Sequence, residues 1–147
     1  RDRLRSRGLG DVYKRQMIDL AMNDTGENIS IKAIAARQGI STKYLEQIIS
    51  TLNKAGYVKS ERGANGGYRL TKKPEEYTVG MILRLTEGSL AITTCTQDEQ
   101  NLCERYGCCT TVKVWEKINK AISDVVDNIT IADLAADEQN STNNFVI

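Results

Sequence analysis

Histidine is missing altogether from this 147-residue chain. The usual nitrogen ligand of biological metal sites is therefore unavailable, and no Ser/His/Asp catalytic set can be assembled. No nucleotide-binding glycine loop and no paired-carboxylate site is apparent either, so the sequence predicts no enzyme. Long apolar runs are also lacking: none approaches the roughly 18 residues that a membrane span needs, so no membrane partner is expected. No secretory pattern opens the chain. A reducing, cytoplasmic setting follows, in which clustered cysteines bind metal or sense redox state more often than they form structural disulfides.

What is present is unevenly distributed. The formal net charge is only +1. Residues 32–73, however, hold nine Lys/Arg against two Glu, a balance of +7, whereas residues 74–147 hold five bases against twelve acids, a balance of −7. One central segment is built to meet a polyanion and the rest is not. All four cysteines fall within fifteen positions, CTQDEQNLCERYGCC at 95–109.

Residues 1–16, RDRLRSRGLGDVYKRQ, show no evident apolar periodicity and resemble translated adapter sequence. They are expected to be a non-native segment outside the fold, and their +4 charge is not counted toward nucleic-acid binding. From Met17, MIDLAMN reads as the end of an amphipathic helix. Ser30 is placed to cap IKAIAARQ, Gly39 to break it, and Ser41 to cap TKYLEQIISTLNKA, which stops at Gly56. Tyr44, Leu45, Ile48, Ile49 and Leu52 form the apolar stripe of that second helix. Two helices so closely spaced predict a helix-turn-helix. YVKSE and GYRLT, joined by RGANG, read as a β-hairpin, and a hairpin directly after a helix-turn-helix is a winged helix.

The expected architecture is mainly α with a small β-hairpin wing. A winged helix-turn-helix occupies 17–74, a connecting helix 75–94, a cysteine loop 95–110, a dimerisation helix and cap 111–135, and a flexible tail 136–147. Thr78 is placed to cap the connecting helix, which closes at Gly88. In the stretch 111–130, Trp115, Ile118, Ile122, Val125 and Ile129 recur at alternating intervals of three and four, a heptad seam about two repeats long.

DNA reading needs phosphate neutralisation together with donors and acceptors at base edges. The N-terminal part of the second helix offers Ser41, Thr42, Lys43, Tyr44, Glu46 and Gln47 for this, with Tyr44 open to a core role instead. Arg62 sits at the wing tip beside Gly63, Asn65, Gly66 and Gly67, where a single guanidinium suits a narrow minor groove. Lys59, Arg69, Lys72 and Lys73 are the candidate phosphate contacts.

These residues together, in GIS..YLEQ, L.KAG.V.S.RG..GGY.L, P.E.TVG.IL...EG, VWEKI and NITIADL, resemble the IscR, NsrR and CymR family of bacterial winged-helix regulators over roughly residues 17–135. The resemblance implies a homodimer on double-stranded, palindromic promoter DNA. Several members carry an iron–sulfur cluster on three cysteines between the connecting and dimerisation helices. Carried onto this chain, the third ligand lies six residues before the family's tryptophan, at Cys109. Cys103 is then the second and Cys95 the first, with seven intervening residues where five are common. Cys108 is a spare thiol, an alternative to Cys109, or a fourth ligand. The position of IscR's histidine ligand is Val112, so that ligand set cannot be copied. A residue of the family's usual N-terminal stretch, absent here, or an exogenous thiol is the other candidate fourth ligand. The implied cofactor is a 2Fe-2S or 4Fe-4S cluster that gates promoter binding. The alternatives are structural zinc, a metal-free thiol- or partner-dependent regulator, and, from another class, a small iron–sulfur electron carrier, which has no use for a basic winged helix.

Overall fold

The computed structural model of the protein describes residues 3–96 and 104–144. Helix α1 (Arg3–Met22) leads to α2 (Ile31–Gln38) and α3 (Thr42–Lys54), then to strands β1 (Val58–Glu61) and β2 (Gly67–Leu70). Helices α4 (Val79–Glu87), α5 (Val112–Val126) and α6 (Ile131–Asn144) complete the order. Short 3-10 turns occupy Pro74–Glu76, Thr94–Thr96 and Tyr106–Cys108. The mainly helical winged-helix architecture is as the sequence predicts. Among the described residues no helix is long and apolar enough to cross a membrane.

The helix-turn-helix forms for local reasons. Ser30 Oγ accepts the Ala33 N–H at the start of α2, and Ser41 Oγ accepts the Tyr44 N–H at the start of α3, each satisfying a donor with no intrahelical partner. Gly39 ends α2 at φ 64°, a left-handed conformation that a Cβ would strain. Leu45, Ile48, Ile49 and Leu52 of α3 then bury against Ile34 of α2, Met17 and Leu20 of α1, Val58 of β1, and Tyr77, Ile82 and Ile131. Burying side chains of this size contributes about 1.5–3 kcal/mol each. Asp19, buried on α1, accepts two hydrogen bonds from Arg37 Nε and one, at 2.6 Å, from its Nη2, while Gln38 Nε2 donates to it at 3.0 Å. That carboxylate fastens α1 to the end of α2 and holds the Arg37 pKa above its ordinary value.

The β1–β2 hairpin is antiparallel, with Val58 opposite Leu70 and Glu61 opposite Gly67. Ile29 adds to its edge: its N–H donates to the Tyr68 carbonyl (2.9 Å) and its carbonyl accepts from the Tyr68 N–H (2.8 Å). At the other end of the hairpin the buried Tyr77 hydroxyl donates to the Tyr57 carbonyl and accepts the Lys72 N–H, both at 2.9 Å.

Four sequence expectations are corrected. Residues 1–16 do not lie outside the fold: α1 runs back to Arg3, and Tyr13 and Gln16 are buried. The helical spacing of Tyr13, Met17 and Leu20 crosses the boundary placed at Met17. Tyr44 is not part of the α3 core stripe; it is 38% exposed. Helix α5 stops at Val126, so Ile129 is not on its seam, and the Ile129 carbonyl instead accepts the Val79 N–H at 2.9 Å. Residues 136–144 are not a frayed tail but the outer turns of α6. That helix starts on a reciprocal cap: Thr130 N–H donates to Asp133 Oδ2 (2.9 Å) and Asp133 N–H donates to Thr130 Oγ1 (3.1 Å).

Candidate nucleic-acid interface and cysteine loop

Capping by Ser41 leaves the first two turns of α3 with one face in the core and one in water. Thr42, Lys43, Tyr44, Glu46 and Gln47 are all exposed, as is Ser41, while Leu45 and Ile48 between them are buried. The exposed row therefore presents an ammonium, a hydroxyl, a phenol, a carboxylate and an amide side by side, the donor and acceptor types that base edges need. Ser41 Oγ accepts the Tyr44 N–H as the helix cap and keeps its O–H as a donor.

The wing tip projects from the same compact unit. Arg62 and Asn65 are exposed, and Gly66 N–H donates to Gly63 O at 3.0 Å to close the turn. Lys59, Lys72 and Lys73 are exposed nearby in the chain. Arg69 differs from them: its guanidinium is 3.1 Å from Glu61 Oε1. Glu61 is held below the usual glutamate range, first by the Asn28 side-chain amide (2.8 Å to Oε2) and then by the Arg69 charge. Sequence reasoning missed Asn28 and Glu61. Both are polar residues next to Gly- and Asn-rich turns, and nothing in their spacing marks two residues 33 apart as neighbours.

The described ends of the cysteine loop are attached to α5. Asn119 on α5 reaches back to it with both ends of its amide: Nδ2 donates to Thr96 Oγ1 (2.8 Å) and Oδ1 accepts the Ile92 N–H (3.1 Å). Tyr106 in turn donates its hydroxyl to the Glu116 carboxylate on α5, which pushes the phenol pKa up. Cys95, half-buried in the Thr94–Thr96 turn, donates to Thr93 Oγ1 at 3.3 Å.

Cys109 stands at the entry to α5 with its Sγ 3.0 Å from Thr111 Oγ1. The Thr111 hydroxyl, followed by the Val112 and Thr111 N–H groups, lowers its thiol pKa and favours the thiolate that metal ligation needs. Cys108 is exposed, with its Sγ 3.5 Å from the Arg105 carbonyl. Cys103 lies outside the described residues. Among the described residues no three metal-ligating side chains converge. Val112, in place of a nitrogen ligand, is buried.

The outer face of α5 is unusually apolar for a surface helix. Val114 is 52% and Val125 58% exposed, and Trp115, Ile118 and Ile122 are only half-buried. At its C-terminal end Arg84 of α4 grips Asp127 through two bonds, of 2.5 and 2.9 Å, and holds that carboxyl below the ordinary aspartate range.

Comparison with known proteins gives consistent relatives. The family model described as "Rrf2: Iron-dependent Transcriptional regulator" matches residues 10–137. Protein rrf2 of Nitratidesulfovibrio vulgaris is 43% identical over 124 residues, 84% of this chain and 81% of that protein. The HTH-type transcriptional regulator IscR of Aliivibrio salmonicida is 38% identical over 123 residues, 84% of this chain and 72% of that protein. Among solved structures, CymR, the global cysteine regulator of B. subtilis, superposes with a TM-score of 0.69 at 36% identity, covering 86% of this chain and 92% of its own. IscR of T. potens superposes with a TM-score of 0.68 at 42% identity, covering 90% and 86%.

Proposed function

The chain belongs to the Rrf2 family of transcriptional regulators, and on that premise we propose that it binds promoter DNA as a homodimer whose affinity is gated by an iron–sulfur cluster on the cysteine loop. Its relatives are regulators of transcription rather than enzymes. Helix α3 enters the major groove with Thr42, Lys43, Tyr44, Glu46 and Gln47 toward the bases, and Arg62 reaches the adjacent minor groove. Lys59, Lys72 and Lys73 neutralise phosphates.

The gating half of the proposal is carried by the Asn119 tether. It joins the cysteine loop to the helix whose apolar outer face is offered to a second protomer. Cys95, Cys103 and Cys109 hold the cluster. The donor set suits it, because thiolates are the ordinary ligands of iron–sulfur clusters and the Thr111 hydroxyl beside Cys109 Sγ lowers that thiol's pKa. Bound there, an iron–sulfur cluster supplies a group sensitive to iron supply, oxidant and nitric oxide. The chain's own part is to hold the loop against α5. A change in loop order then moves α5, and with it the separation of the two recognition helices. A coupling of about 1–3 kcal/mol suffices for a useful switch.

A second reading is a metal-free thiol regulator, favoured by the exposed Cys108 next to Cys109, whose thiol pKa the Thr111 hydroxyl lowers, and by the resemblance to CymR. One experiment separates the two. Protein purified anaerobically is analysed for visible absorption, iron and acid-labile sulfide. A coloured protein that Cys103→Ala bleaches and Cys108→Ala leaves largely intact is the expected result. Colourless, iron-free protein that still binds its promoter would overturn the cluster reading.

A further inference from the structure

The outward face of the wing carries two cations and one carboxylate. Lys59 pairs across the strands with Arg69 and Glu61 with Gly67, so alternation along the strands puts Lys59, Glu61 and Arg69 on one side. Glu61 does not stand there alone. Its Oε1 accepts from Arg69 (3.1 Å) and its Oε2 from Asn28 Nδ2 (2.8 Å), and the same Asn28 nitrogen donates to the Asn65 carbonyl in the wing tip (3.2 Å).

Asn28 is followed by Ile29, bonded in both directions to Tyr68, and by Ser30, the cap of α2. Three consecutive residues thus fix the wing strand, the wing tip and the first helix of the DNA-binding unit relative to one another. On the opposite side Asn53 Nδ2 of α3 donates to Ser60 Oγ (3.0 Å), so the hairpin is fastened to both helices. Packing at this seam is close: a Cβ at Gly67 would overlap the Ile29 carbonyl.

An exposed Arg–Glu pair by itself contributes little to stability. Its place in this arrangement suits a different task. A five-residue tip carrying two exposed polar side chains, an alanine and two glycines has many conformations, and only a few of them direct the Arg62 guanidinium into a groove. Fastening Asn65 from outside the hairpin removes much of that freedom before DNA arrives, which raises affinity by pre-organisation.

We propose that Asn28 and Glu61 are positioning residues for the wing, that their latch aims Arg62 at the DNA, and that Arg69 is committed to the latch rather than to a phosphate. The inference rests on the DNA-binding reading above and adds to it the residues that set the wing's approach.

The test is a double-mutant cycle on the full chain. Its probe is a duplex selected from random-sequence DNA by the wild-type protein, with affinity read by fluorescence anisotropy. A wild-type protein that selects no duplex overturns the DNA-binding reading itself and is recognised before any variant is made. Arg62→Ala is expected to weaken wild-type binding about tenfold, and to cost less than about twofold in an Asn28→Ala or Glu61→Ala background, whichever retains the wild-type circular dichroism. Equal losses in both backgrounds overturn the latch. Arg69→Gln is expected to leave the salt dependence of binding unchanged, whereas Lys59→Gln lowers its slope by about 0.9 for each phosphate that the ammonium had neutralised. A similar fall for Arg69→Gln would make Arg69 a phosphate ligand and overturn its assignment.

Discussion

Gln16 and Asp19 sit one turn apart on α1, both buried, and they meet burial in opposite ways. Asp19 is satisfied by Arg37 and Gln38. Gln16 retains a buried side-chain carbonyl with no hydrogen-bond partner among the described residues. Leaving such a group unpaired costs about 1–3 kcal/mol, whereas an apolar side chain of similar volume has no such cost. Gln16→Leu is therefore expected to stabilise the protein by about 1–2 kcal/mol. The urea midpoint would rise with the slope of the transition unchanged, and a lower midpoint would show that the amide is satisfied in solution.

At the scale of elements, what was legible in the sequence were the structures whose ends carry their own chemistry. Ser30, Gly39 and Ser41 bound α2 and α3 by caps, and Gly66 and Gly67 mark the wing, so each is specified within a few residues. Helix α6 was not legible because its outer turns are polar all round. Only the T-x-x-D pattern of Thr130 and Asp133 announces it. The end of α5 was obscured for another reason: the apolar period continues to Ile129, but α4 recruits that residue's backbone. The candidate base-reading residues follow from the cap and stripe of α3, which leave one face exposed. The latch of Asn28 with Glu61 and the tether of Asn119 are pairings between distant segments and have no local signature. Asn119 nonetheless makes a definite expectation. Asn119→Ala removes two hydrogen bonds that hold residues 92–96 against α5, and should cost about 1–2 kcal/mol of stability. If the loop carries a cluster, the variant should also lose visible absorbance faster than wild type in air. An unchanged bleaching rate would mean that the tether does not hold the cluster site.

For the whole molecule, hydrogen bonds and ion pairs form a continuous route from cysteine loop to wing. Asn119 joins the loop to α5, and Asp127 at the end of α5 grips Arg84 of α4. The Ile129 carbonyl accepts from Val79, Ile131 N–H donates to Tyr77 (2.8 Å), and the Tyr77 hydroxyl holds Tyr57 and Lys72 at the base of the hairpin. Such continuity lets a displaced loop shift α5 and the elements bonded to it, and pairing of two copies along the apolar face of α5 would turn that shift into a change in the separation of the two recognition helices. In a two-fold interface every substitution occurs twice on facing surfaces, so Val125→Glu would set carboxylates of the two protomers against an otherwise apolar seam. Val125 is 58% exposed in the single chain, so the protomer's own circular dichroism and thermal midpoint should hardly change. Sedimentation should instead show monomer at concentrations where wild type is dimeric. Binding to a palindromic duplex should weaken at least about tenfold as the second half-site ceases to be an intramolecular event. A Val125→Glu protein that remains a dimer and binds as wild type would place the interface elsewhere, and α5 could then no longer be the lever through which the cysteine loop acts.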